Sequence, residues 1–324
     1  MKPFPLISAV AVCGALAFGV AACGDDDSAG GGSSNASSSG EDLSKLSGEI
    51  RIDGSSTVYP FAQAAAEQFQ GQAPGVRITV GQAGTGGGFE KFCAGETDIS
   101  DASRPIKDDE EAPLCQKGGV EYTELQVAND GIAVVTNKAL EIDCLTTDQL
   151  EALWKDSEVK SYSDIDAKLP DSEVSLFGPG TDSGTFDFFT DEINGEEGLT
   201  RKDYQPSEDD NVLVQGVEGD DGALGYFGFS YYEQNQDKLN LVGVDAGDGC
   251  VKPSSEAIQS GEYEPLSRPL FMYPSTKAMD RPEVKAFMDY VFANQQEVAE
   301  AAQIVPMTSE QTTKATQALE ELER

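Results

Sequence analysis

Histidine is absent from all 324 residues. Its absence removes every Ser-His and Cys-His catalytic pair and the usual imidazole ligands of zinc. Basic side chains are scarce: 22 Lys and Arg stand against 58 Asp and Glu, a formal charge of −36. Phosphate backbones are held by clustered Lys and Arg, so this balance argues against a nucleic-acid binder. No P-loop pattern occurs, and the glycine-rich stretch Gly84–Gly88 lacks the G-x-G-x-x-G spacing of a dinucleotide site. No internal repeat is visible.

What is present suits a globular body. Apolar residues make up 39% and charged residues 25%, and the length accommodates two domains of ordinary size. Residues 1–22 read as a targeting segment: Lys2 supplies the positive start, and the apolar run Leu6–Ala22 is too short for a comfortable transmembrane helix. It ends Val20-Ala21-Ala22-Cys23, which resembles the lipobox of bacterial lipoproteins and implies cleavage before Cys23 with lipidation of its sulfur. Residues 23–47 are mostly Gly, Ser, Ala, Asn and acids, a composition that cannot bury enough surface to offset ordering. Lipid, tether and body place the protein on the outer face of a membrane.

Four further cysteines follow in the body: Cys93, Cys115, Cys144 and Cys250. An even number in an exported chain favours two disulfides, although three pairings are open. Cys93–Cys115 with Cys144–Cys250 is favoured, because the first closes a short local loop.

From Ser47 onward β-type runs alternate with amphipathic stretches. Glu49–Ile52, Val76–Val80, Ile99, Ile132–Thr136, Val174–Phe177 and Leu241–Val244 read as strands. Val58–Gln70, Phe89–Ala94, Gln149–Trp154, Phe186–Ile193 and Glu283–Ala301 read as helices. Such alternation predicts an α/β fold with largely parallel sheets. The body divides into two lobes without a linker, as expected if the lobes exchange strands. Trp154, Tyr226, Tyr231 and Tyr232 are read as packing residues, and Glu208-Asp209-Asp210 as a solvated acidic loop.

Three turns repeat one chemistry. Gly54-Ser55-Ser56-Thr57, Gly84-Thr85-Gly86-Gly87-Gly88 and Gly180-Thr181-Asp182-Ser183-Gly184-Thr185 each lie between a strand and a helix. Small residues, hydroxyls and unpaired helical N–H groups meet there, and the helix dipole adds a partial positive charge. That is the equipment for a small oxyanion, at the strand edge where α/β sheets gather ligands. Asp182 is expected to orient its turn. A fourth element is Asp101-Ala102-Ser103-Arg104-Pro105. Arg104 offers a bidentate fork. Asp101 accepts only, so it suits an oxyanion that carries a proton, as hydrogen phosphate does and sulfate does not.

These motifs, with Asn211–Gln215, Gly222–Tyr226 and Pro265–Leu270, resemble in order the phosphate-binding lipoproteins of high-affinity phosphate ABC transporters, over about residues 48 to 310. The resemblance implies a two-lobed, type II-like periplasmic-binding-protein fold with two hinge strands and the ligand in the interlobe cleft. One lobe would comprise 48–132 plus 268–324, the other 133–267. It implies a monomeric receptor that delivers inorganic phosphate to membrane permease subunits without acting on it. The implied contacts are Ser55, Ser56, Thr57, Thr85, Gly86, Asp101 and Arg104, with Ser183, Gly184 and Thr185 closing from the other lobe. Some members carry an Arg four residues before the Ser-Gly-Thr serine; Pro179 stands here, which leaves Arg104 as the expected sole guanidinium. Two other readings of the motifs are a phosphate-sensing lipoprotein and a secreted phosphate-ester hydrolase. The hydrolase lacks a base, a nucleophile partner and a metal cluster.

Overall fold

The computed structural model describes residues 43–181 and 183–322. The targeting segment, the lipidation residue Cys23, the tether as far as residue 42 and Asp182 lie outside the described residues. The end of the expected tether belongs to the body instead: Leu43–Lys45 form a 3-10 turn, and Leu43 and Leu46 pack on the core. Their apolar side chains explain the shift. Among the described residues, no helix is long and apolar enough to cross a membrane.

In chain order the first elements are β1 (Gly48–Gly54), α1 (Tyr59–Gln72), β2 (Val76–Val80), α2 (Gly84–Cys93), β3 (Ile99–Ala102), α3 (Ala112–Gly118) and β4 (Leu125–Asn137). Then come β5 (Cys144–Thr146), α4 (Thr147–Lys155), β6 (Ser175–Pro179), α5 (Gly184–Asn194), β7 (Gln205–Ser207), α6 (Asp210–Gly219), β8 (Ala223–Gly228), α7 (Phe229–Glu233), β9 (Leu239–Asp245), β10 (Cys250–Val251) and α8 (Ser255–Ser260). The chain ends with β11 (Ser267–Pro274), α9 (Thr276–Met279), α10 (Pro282–Ala293), α11 (Gln295–Ala301) and α12 (Ser309–Leu322).

The fold is mixed α/β, but its pairing is less parallel than the alternation predicts. β1 pairs parallel with β2 and β3, β6 with β7 and β8, and β5 with β9. Every ladder made by β4 or β11 is antiparallel. These two long strands cross the molecule side by side, and opposed directions let the chain leave one half and return beside its own exit.

Two large cores sit on either side of that crossing. The first gathers Ile50, Phe61, Phe69, Val76, Leu125, Val127, Leu270, Met272 and Phe287; the second gathers Ile132, Val134, Trp154, Phe189, Tyr226, Val242 and Leu266. Strand β4 feeds the first with residues before Asn129 and the second with residues after Gly131. The C-terminal segment is not confined to the first core: Val305 packs in the second, and Pro306 O accepts from both Asn129 Nδ2 and Gln259 Nε2. Disulfides join Cys93 to Cys115 and Cys144 to Cys250, the favoured pairing. The former sits in a small cluster with Phe89, Phe92 and Tyr273 beside the first core.

Glu283–Ala301 is two helices, broken where Asn294 caps α10 with non-helical backbone. Glu208–Asp210 is not a free loop. Asp209 caps α6 by accepting from the Asn211 amide, and Asp210 Oδ2 accepts from the Gly228 amide. Burial, reinforced by Asp209, Asp130 and Glu208, pushes the Asp210 carboxyl up to about 6, although the Gly228 bond pulls the other way.

Candidate functional site

A cavity of about 390 Å³ lies where the first turns of α1, α2 and α5 converge. Its wall includes Ser55, Ser56, Thr57, Thr85, Gly86, Ser103, Arg104, Gly184 and Arg268. The first two turns come from the carboxyl ends of β1 and β2. Asp53, at the end of β1, ties them together: Oδ1 accepts from the Gly54 and Ala83 amides and Oδ2 from Lys91 Nζ. Gly88 is forced to be glycine, since a Cβ there would sit 2.5 Å from Gly54 Cα. Gly84–Gly88 is the first turn of α2 rather than a loop before it. Its amides therefore point along a helix axis, toward the cavity edge.

Local hydrogen bonds fix the hydroxyls. Ser55 Oγ accepts from the Thr57 amide, and the Ser55 amide donates to Asp101 O. Thr85 Oγ1 accepts from the Ser103 amide and lies 3.0 Å from Ser103 Oγ. Ser183 caps α5 by accepting from the Thr185 amide. Of the expected contacts, the structure brings Ser55, Ser56, Thr57, Thr85, Gly86, Arg104 and Gly184 to the wall. Ser183 and Thr185 flank Gly184 without lining the cavity, and Asp101 lies behind the first turn.

Asp101 is fully buried on β3, and neither carboxylate oxygen meets a hydrogen-bond partner among the described residues. Burial pushes this carboxyl well above the ordinary range, and Asp53 adds to the rise. A buried carboxyl without a donor is costly unless it holds or shares a proton.

The two halves touch at Gly184. A Cβ there would lie 2.3 Å from Thr57 Oγ1, 2.5 Å from the Thr57 nitrogen and 2.7 Å from Ser56 Oγ. No side chain larger than hydrogen fits between the turns before α1 and α5.

The expectation of one guanidinium is corrected in two respects. Arg104 lines the cavity, but its terminal nitrogens are taken by Glu111, at 2.8 Å (Nη1–Oε2) and 2.7 Å (Nη2–Oε1). Burial would raise the Glu111 carboxyl, yet the bonds from Arg104 and the Lys107 amide outweigh it and leave it below its ordinary value. The second guanidinium is Arg268, brought in by β11, with its Nη2 donating to Thr57 Oγ1 at 2.7 Å. Local motif reading misses Arg268 because its place depends on the β11–β4 crossing, where it pairs with Asp130. Only the Pro265–Leu270 motif pointed there. Helix α5 adds Asp187, Asp191 and Glu192 to the wall, so the cavity is no basin of positive charge. What favours an anion is the set of oriented N–H groups.

Comparison with known proteins shows the family. Residues 35–295 match the family model of the PBP superfamily domain. The chain is 45% identical over 272 residues to the protein SphX of Synechocystis sp., covering 82% of this chain and 81% of that protein. It is 37% identical over 325 residues to the phosphate-binding protein PstS of Staphylococcus saprophyticus, covering 99% and 96%. A crystal structure described as a possible phosphate binding protein, from Planctomyces limnophilus, superposes with a TM-score of 0.81 at 42% identity, covering 86% of this chain and all of that one.

Proposed function

The chain belongs to the PBP superfamily and, within it, to the substrate-binding proteins of phosphate ABC transporters; from that premise we propose that its cleft takes inorganic phosphate, for delivery to membrane permease subunits. One observation carries the reading: three helix N-termini and their hydroxyls converge on a single cavity sized for a small ligand. Ser55, Ser56, Thr57, Thr85 and Gly86 donate from one half, Arg104 contributes charge at the rim, and Ser183, Gly184 and Thr185 close from the other. The halves are residues 48–132 with 268–324, and 133–267.

Asp101 supplies selectivity. In its ionised form Asp101 accepts the proton that hydrogen phosphate carries, and it repels sulfate, which carries none. The protein binds and releases without chemistry on the ligand, as a monomer held to the outer membrane face by lipid on Cys23. The long-range field of the acidic surface is screened within about 8–10 Å at physiological salt, so the contacts inside the cleft decide affinity.

Calorimetric titration of purified, anion-stripped protein tests the ligand. Tight one-to-one binding of phosphate, undiminished by excess sulfate, is expected. Equal competition by sulfate, or no heat with phosphate, overturns the reading. For delivery, deletion of the gene is expected to abolish high-affinity phosphate uptake.

A further inference from the structure

Arg268 does more than line the cleft. Its guanidinium is stacked on one ring: the side chain is 16% exposed and its Cζ lies 3.7 Å from the centroid of Phe188. Nε donates to Asp130 Oδ2 at 3.3 Å, and Nη2 donates both to Thr57 Oγ1 at 2.7 Å and to Gly184 O at 3.3 Å. Those partners belong to three different parts of the molecule. Asp130 is on the crossing strand β4, Thr57 precedes α1 in one half, and Gly184 opens α5 in the other. One side chain thus bonds to all three.

The bond to Thr57 also sets a direction. A hydroxyl has one hydrogen and two lone pairs. With a lone pair committed to Arg268, the Thr57 hydrogen is left to donate elsewhere. The Arg268 side chain lines the cavity, which puts the guanidinium within reach of a ligand there. The contrast with Arg104 is sharp, because Glu111 already occupies both of its terminal nitrogens. Pro179, meanwhile, supplies no guanidinium from the segment before α5.

We propose that Arg268 is at once a phosphate contact and the latch between the halves, giving Nη1 to the anion while Nη2 joins Thr57 to the Gly184 carbonyl. The inference rests on the phosphate reading above and adds the residue that couples occupancy to closure. With the halves apart, Arg268 loses the Gly184 carbonyl. With the halves together, its fork is pre-set by Asp130, Phe188 and Thr57, so little rotamer freedom remains to be lost when the anion arrives.

The test is a phosphate titration by calorimetry, paired with X-ray scattering with and without phosphate, on the parent protein, Arg268→Lys, Thr57→Val and the neutral pair Arg268→Gln/Asp130→Asn. The pair avoids stranding Asp130 as an unpaired buried charge, as removal of Arg268 alone would. The parent is expected to bind phosphate and contract. The neutral pair should bind roughly 30- to 1,000-fold more weakly and fail to contract at equal occupancy, as a buried charged contact is gone. Arg268→Lys should fall between, because a point charge cannot fork. Thr57→Val should weaken binding by about 10-fold through the lost hydroxyl. If the folded variants bind and contract like the parent, the Arg268 role is wrong and the phosphate reading stands. If the parent itself takes no phosphate, both fall.

Discussion

Replacing Gly184 with alanine separates helix stability from closure. In α5 alone the change is mild or favourable: Gly184 has no positive φ, and alanine relieves a glycine of roughly 0.5–1 kcal/mol in a helix. Across the cleft it is not mild. The new methyl would stand 2.3 Å from Thr57 Oγ1 and 2.5 Å from the Thr57 backbone nitrogen. The latter is about 1 Å short of ordinary contact, and a backbone nitrogen cannot swing aside. Overpacking of this kind costs about 1–3 kcal/mol, and here the cost falls on the closed arrangement alone. Phosphate affinity should therefore drop by roughly 5- to 150-fold at 1.4 kcal/mol per tenfold. The melting temperature without phosphate should hold or rise. Calorimetry and thermal melts of parent and Gly184→Ala decide it. Affinity within twofold of the parent would refute the claim that these turns must meet for binding.

Asp101→Asn should admit sulfate as a competitor. It should also flatten the pH dependence of stability without phosphate: the raised carboxyl contributes stability below the unfolded value of about 3.9 that is lost as pH rises through its folded value. Unfolding curves across that window check the sign. Asp210, raised to about 6, follows the same rule and costs at most about 3 kcal/mol above that pH. Asp210→Asn should stabilise the protein in urea melts at about pH 7.5 and do nothing near pH 4; an equal effect at both would count against the burial argument. Arg104→Ala should weaken phosphate binding by only about 1 kcal/mol, since Glu111 already holds the fork. A loss several times larger would mean that the ion pair opens to meet the ligand.

Much of this was legible in the residues, and the failures have physical causes. Strand and helix positions around Ser55, Gly84 and Gly184 follow from period and punctuation, which are local. The helical state of Gly84–Gly88 runs against glycine's weak helix propensity, and the need for glycine at position 88 comes from Gly54, a neighbour only in space. The sequence pattern reveals strand β4 only from Ile132, because Asn129-Asp130-Gly131 interrupts its apolar run. That polar interruption is where the two cores part, so the feature that hid the strand also marks its role. Arg268 escaped for the same reason: its meaning lies in a pairing between residues 130 and 268. Arg104 lines the cavity, but no local spacing rule reveals that Glu111 claims its fork.

The crossing of β4 and β11 also bears on how such receptors diversify. The chain enters the second core beside the point where it leaves, with Asp130 facing Arg268, and the Cys144–Cys250 link closes within that core, as Cys93–Cys115 lies within the other half. Neither covalent bridge ties one side to the other. An insert whose ends are neighbours can be exchanged whole without rerouting its host. Recombination at two codons, near positions 130 and 268, would thus transplant half of a binding cleft, with Val305, Gln311 and Arg268 among the side chains left to readjust.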